Sequence, residues 1–107
     1  MKKTLSLIAA SALTLALPAQ AHYGMMECWF EQDRTEVHCE AGWTDGTSAS
    51  NYEIRLFDYD DTLLEVSRTD NRSRVQFAHP DTDEFYLIFD PGHEAPAEVD
   101  VVEMRER

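Results

Sequence analysis

The stretch that decides the fold is "CWFEQDRTEVHC", residues 28–39, in which two short alternating runs flank a polar centre. Asp33 and Arg34 at that centre are turn residues, so the sequence predicts an antiparallel hairpin. This turn places Phe30 opposite Val37 on the core face of the hairpin. The other face carries mainly polar side chains and is predicted to face solvent. Its members are Glu27, Trp29, Glu31, Glu36, His38 and Glu40.

The same register places Cys28 directly opposite Cys39. Opposed residues in an antiparallel pair have Cβ atoms about 4.5–5.5 Å apart, and modest adjustment brings such a pair within reach of a disulfide. The alternative is a pair of thiolate metal ligands, but the eleven-residue separation is not a zinc-ligand spacing. We therefore expect a structural disulfide.

The chain beyond the hairpin continues in short runs rich in Val, Ile, Phe and Tyr, separated by Asp, Asn, Gly and Pro clusters. This pattern predicts an all-β protein. Strands are expected at 25–31, 35–41, 52–58, 63–68, 73–78, 84–90 and 98–104. Seven short strands in one small domain favour an antiparallel sandwich.

Residues 1–21, "MKKTLSLIAASALTLALPAQA", have the form of a helical secretory signal peptide. Lys2 and Lys3 precede an apolar run, and Ala19 and Ala21 form an A-x-A cleavage site. The run is shorter than the roughly 20 residues that a membrane-spanning helix needs. We expect a periplasmic or secreted mature chain, residues 22–107, that folds as a single domain and does not insert in the membrane.

The predicted mature chain is strongly acidic. Removal of the signal, with its two lysines and no acid, takes the formal net charge from −12 to −14. This charge makes nucleic acid an unsuitable partner and favours cations. A solvated acidic surface with no ligand is the plainer interpretation.

Strand direction sorts the loops between the two ends of the sandwich. If consecutive strands are antiparallel, the N-terminus meets the loops 42–51, 69–72 and 91–97 at one end. His22 and His93 are therefore expected at the same end. His79 falls at the other end as a turn residue, and His38 lies mid-strand as a cross-strand partner of Trp29.

A histidine at a free N-terminus offers a metal two nitrogens, its α-amine and its ring Nδ1. His93 would add a third nitrogen, and nitrogen-rich tetragonal sites suit Cu(II) or Ni(II). The predicted ligands are therefore His22 and His93, with Met25 as a candidate for a softer ion. Glu94 is an oxygen ligand or a supporting group, as are Asp45 and Asp70.

Three stretches carry a resemblance to a known family: "AH" at the mature start, "VHCEAGWTDGTSASNYEIRLFD", and "FDPGHEAPAEV". Together they resemble the small periplasmic components associated with nickel and cobalt uptake transporters. The chain is also similar to periplasmic copper-resistance sandwich proteins. The resemblance implies an Ig-like or transthyretin-like sandwich, a metal-handling role beside a transporter or another envelope protein, and ligand positions at His22 and Gly92-His93.

Two other functions stay open. The first is an interaction module without metal, which would contact an envelope protein through aromatic side chains such as Trp43 and Tyr59. Trp43 is, however, better suited to closing the end of the sandwich. The second is a copper enzyme that activates oxygen. The small domain offers no broad substrate surface, and no catalytic triad or phosphate-binding loop is present, so we expect a protein that is not an enzyme.

Overall fold

The computed structural model describes residues 22–107, so the predicted signal peptide, 1–21, lies outside the described residues. These residues form an all-β fold of eight strands and one short 3₁₀ turn. The strands are β1 (Gly24–Glu31), β2 (Glu36–Trp43), β3 (Glu53–Asp58), β4 (Leu63–Arg68), β5 (Arg74–Ala78), β6 (Phe85–Phe89), β7 (Ala97–Asp100) and β8 (Arg105–Glu106).

The strands make two four-stranded sheets, which we call the first and second sheet. The first has the order β5-β2-β1-β8 and the second the order β4-β3-β6-β7. Every pairing is antiparallel except that of β1 with β8, which is parallel. The sheets enclose one hydrophobic core, as in a β-sandwich.

The hairpin between β1 and β2 has the predicted register. Phe30 pairs with Val37, and Cys28 pairs with Cys39 and is joined to it by a disulfide. The turn is longer than predicted and spans 32–35, where the Thr35 amide donates to the Gln32 carbonyl at 3.1 Å.

The core consists largely of alternate side chains that β1, β2, β3, β5, β6 and β7 turn inward. The strand β5 shows the pattern most simply, because Val75 and Phe77 are buried while its other three residues are exposed. The largest fully buried side chains come from both sheets and pack between them. They are Phe30, Val37, Cys39, Ile54, Leu56, Phe77, Phe85, Leu87 and Phe89.

The first six predicted strands are present with ends shifted by at most two residues, but the prediction for 98–104 is wrong. The strand β7 ends at Asp100, whose side chain accepts from the Val102 amide and starts a 3₁₀ turn. The chain then forms β8, the eighth strand. Within residues 22–107, no helix has the length and apolar character needed to cross a membrane.

The prediction that Trp29 faces solvent is also wrong. Trp29 is 3% exposed, because the guanidinium of Arg107 covers its ring at 3.8 Å. The indole Nε1 donates to Glu31 at 2.7 Å, and His38 stacks on the ring as predicted, with centroids 6.1 Å apart. The alternation of residues in β1 could not reveal this burial, because Arg107, which covers the ring, lies at the far end of the sequence.

The disulfide gives the first prediction. A Cys28→Ala/Cys39→Ala double variant should lose about 2–4 kcal/mol of unfolding free energy, because its unfolded chain is no longer cross-linked. Urea denaturation followed by far-UV circular dichroism measures this loss. The wild type treated with a reductant is the control and should lose a similar amount. Equal urea midpoints for the oxidised wild type and the variant would contradict a stabilising role.

Candidate functional site

The first residues of the described chain are fixed to the end of β2 by backbone hydrogen bonds. The Thr44 amide donates to the Tyr23 carbonyl at 3.0 Å, and the Tyr23 amide donates to the Thr44 hydroxyl at 3.2 Å. Gly24 pairs with Trp43 at the last position of the ladder. This extended pairing carries His22 to the side chain of Trp43.

Trp43 is the centre of this end of the sandwich. Its indole is 8% exposed and packs edge-on against Tyr52 and Phe89, with both centroid distances 5.5 Å. His22 stacks on the same indole at 4.9 Å with an interplanar angle of 18°. The ring of His93 lies 5.9 Å from it at 40°. The expectation that His22 and His93 lie at one end is therefore confirmed.

Two carboxylates flank the imidazole of His22. Its Nδ1 lies 3.4 Å from Oε2 of Glu94, and its Nε2 lies 3.4 Å from Oδ2 of Asp45. The His22 side chain is 44% exposed, so it remains open to solvent while it contacts both acids. Asp45 and Glu94 were both predicted at this end, and each belongs to a different loop.

The loop that carries His93 begins with a tight turn. The Gly92 amide donates to the Asp90 carboxylate at 2.9 Å, and Gly92 has a φ of 92°, a conformation that glycine adopts without strain. Nδ1 of His93 lies 3.2 Å from the Pro91 carbonyl. A carbonyl only accepts, so this contact selects the tautomer with a proton on Nδ1 and leaves the Nε2 lone pair available.

Two further candidate residues have other surroundings. Asp70 stabilises its own turn, where it accepts from the amides of Arg72 and Arg74 at 2.8 and 3.0 Å. These backbone bonds, the one from Arg74 first, lower the pKa of Asp70 below its ordinary value. Met25 is 53% exposed on the outer face of the first sheet, where it lines a shallow groove with Gly42 and Thr47.

The remaining histidines lie elsewhere. His38 donates through Nε2 to the Glu36 carboxylate at 2.9 Å on the outer face of the first sheet. His79 stacks on Phe30 at 5.7 Å, and its Nδ1 lies 2.7 Å from the Pro80 carbonyl in the β5–β6 connection. His38 is therefore the cross-strand partner of Trp29 that was predicted. His79 lies in the connection where a turn residue was predicted, but it also packs on the core rings of Phe30 and Phe85.

Among residues 22–107, no group of three or more His, Cys, Asp or Glu side chains is arranged to hold a metal ion. Comparison with protein families, with curated proteins and with solved structures finds no match to this chain. A function proposed for this end of the sandwich therefore depends on its geometry alone.

The sequence did not reveal Trp43 as the surface that both histidines contact. Its position immediately before the turn "TDG" places it at the end of a strand, where it was expected to close the sandwich. That His22 and His93 pack on one indole depends on the pairing of Tyr23 with Thr44 and on the shape of the 91–97 loop. Neither the pairing nor the loop shape can be predicted from the local alternation of apolar and polar residues.

Gly24 provides a test of how closely the N-terminal segment is packed. A Cβ built at Gly24 would lie 2.8 Å from the ring of Phe89, whereas one at Gly42 would meet nothing nearer than the Thr47 carbonyl, at 3.6 Å. Gly24→Ala should cost about 1–3 kcal/mol of unfolding free energy through overpacking. Gly42→Ala is the matched control and should change it by less than about 0.5 kcal/mol or stabilise the fold slightly. Equal urea midpoints for the two variants would contradict the close approach.

Asp45 gives a prediction about pH. The backbone amide and then the hydroxyl of Thr47 donate to its carboxylate at 3.0 and 2.7 Å, and they hold the pKa of Asp45 below its ordinary value of 3.8. A carboxyl with a lowered pKa stabilises the fold above its unfolded pKa, and this contribution is lost as the pH falls through the folded value.

Thr47→Val keeps the amide and removes the hydroxyl, so the pKa of Asp45 should rise towards 3.8. An NMR titration of the side-chain carboxyl carbons measures it. The pKa of Asp70, which depends on other donors, should stay constant and serves as the internal control. An unchanged titration of Asp45 would exclude the hydroxyl as a cause.

Proposed function

We propose that residues 22–107 form the mature chain of a soluble periplasmic protein that binds a single Cu(II) or Ni(II) ion and passes it to an envelope partner. The observation that carries the proposal is the contact of His22 and His93 with the same indole, that of Trp43. The proposal includes cleavage after Ala21, a single domain of the Ig-like or transthyretin-like class, and a role beside a metal transporter.

The donors come from two histidines. In the mature chain, the α-amine and Nδ1 of His22 form a chelate, and Nε2 of His93 supplies a third nitrogen. Because the amine belongs to the same residue as the ring, these three nitrogens come from only two residues. Such a set differs from a cluster of three side chains, and nitrogen-rich sites of this kind suit Cu(II) and Ni(II).

Glu94 is the proposed oxygen donor. Its carboxylate lies at the Nδ1 edge of His22, which is the edge that the chelate uses. Asp45 lies at the opposite ring edge, beside Nε2. A carboxylate at that nitrogen orients the ring and makes its other nitrogen a better ligand. Met25 remains a proposed donor for a softer ion such as Cu(I), reached from the outer face of the first sheet.

The exposure of both imidazoles favours transfer rather than permanent storage. His22 and His93 are exposed, so an incoming ligand from a partner has access to the ion. The net charge of −14 on the mature chain raises the local concentration of cations. We propose a carrier and not an enzyme.

Calorimetric titration of the mature protein with Cu(II) and with Ni(II) tests the proposal. We expect one ion per chain. One alanine added before His22 moves the α-amine away from the ring and should weaken binding by roughly a hundredfold or more, about 2.7 kcal/mol. His93→Ala should weaken it by about tenfold or more, about 1.4 kcal/mol.

His79→Ala is the matched control, because it removes an imidazole at the other end of the sandwich and should leave the affinity unchanged. An unchanged affinity after the addition of this alanine would rule out the terminal chelate. An affinity lost equally in His79→Ala and His93→Ala would assign the ion to a different place.

A metal-free interaction module is the second candidate function. The observation that favours it is the exposure of Tyr59, which is 44% accessible although its hydroxyl donates to Asp100 at 2.6 Å. Trp43, the other aromatic considered for such contacts, is buried and offers little surface. Under this alternative, removal of metal by a chelator leaves the thermal stability and all partner binding unchanged.

A further inference from the structure

The edges of the two sheets differ in how they are protected against pairing with another chain. In the described part of the chain, β5 and β8 are the edges of the first sheet, and β4 and β7 those of the second. The exposed residues of β5 are Arg74, Gln76 and Ala78, β7 has four residues, and β8 consists of two charged residues. Short or polar edges of this kind resist strand addition.

The strand β4 is the longest and most apolar of the four edges, although it carries the charged residues Glu65 and Arg68 and a register shift against β3. It has six residues, pairs only with β3 among residues 22–107, and has apolar side chains at exposed positions. Leu63 is 48% exposed, Leu64 is 42% and Val66 is 41%. A long edge with exposed apolar side chains presents unpaired backbone groups to an incoming strand.

The two faces of β4 differ in chemistry. Val66 pairs with Arg55, which is exposed, so both lie on the outer face of the second sheet. Glu65 pairs with Leu56, which is buried, so Glu65 turns towards the opening between the sheets. That opening is a groove of about 430 Å³ between β4 and the β5–β6 connection.

The groove is acidic with apolar patches. Among the described residues, its lining includes three carboxylates, Asp58, Glu65 and Asp81, and the imidazole of His79, but no lysine or arginine. Leu64 and Pro80 supply apolar surface beside them. Because side chains alternate along a strand, a strand added to β4 would send every second side chain into this groove and the others to the outer face.

We infer that β4 is a docking edge for an extended segment of a partner protein whose side chains alternate between apolar and basic. The basic side chains enter the groove beside Glu65, and the apolar ones lie against Leu63 and Val66 on the outer face. A second copy of residues 22–107 is a poor occupant, because it would bring its own net charge of −14 close to the same carboxylates. The inference is independent of the proposed metal site.

A short peptide of alternating valine and lysine is the probe, and fluorescence anisotropy of the labelled peptide measures its binding to the mature protein. We expect saturable binding that weakens as salt is added, since the carboxylates contribute. The same peptide methylated at alternate backbone nitrogens keeps its charge and loses its hydrogen-bond donors, and it should bind at least tenfold more weakly. Equal binding of the two peptides would overturn strand addition in favour of simple charge attraction.

Two variants test whether the peptide binds at the edge strand β4. Val66→Lys places a charge on β4 and should weaken binding of the peptide at least tenfold. Gln76→Lys makes the same change of net charge on β5 and should weaken it by no more than about twofold. Equal losses would overturn the assignment to β4. Sedimentation of the wild type as a dimer that Val66→Lys dissociates would overturn the choice of a partner protein in favour of a second copy.

Discussion

The pairing of β1 with β2 is the constraint on which the rest of the structure depends. Eight consecutive pairs, from Gly24 with Trp43 to Glu31 with Glu36, fix which side chains of both strands enter the core. The disulfide locks the register near its middle, because a slip of one residue would separate Cys28 from Cys39. At the far end, the same ladder holds Tyr23 beside Thr44 and determines where His22 lies.

The parts of the fold that follow from local pattern could be predicted from the sequence. The turn residues and the alternation around Cys28 and Cys39 define one register, and the antiparallel rule then places His22 and His93 at the same end. The strand β7 was predicted too long because Asp100 caps a 3₁₀ turn. A single capping residue is a weaker sequence signal than a run of apolar residues. The burial of Trp29 under Arg107 is a long-range contact without a local signal.

The same distinction holds for the candidate site. The sequence supplied the residue types and the end of the sandwich at which they meet, and Glu94 and Asp45 lie beside His22 at that end. The ring stacking on Trp43 depends on loop conformation, so it required coordinates. Asp70, like Asp45, accepts hydrogen bonds from the backbone of its own turn, as acidic turn residues commonly do.

The stacking of His22 on Trp43 has a consequence for the entropy of ligand capture. Terminal residues usually sample many conformations, and a ligand that binds them bears the cost of ordering them. Here both the amide and the carbonyl of Tyr23 are already hydrogen-bonded to Thr44, and the ring of His22 already stacks on Trp43. The conformational freedom of His22 is therefore already lost on folding, and the proposed metal ion would meet a preorganised surface.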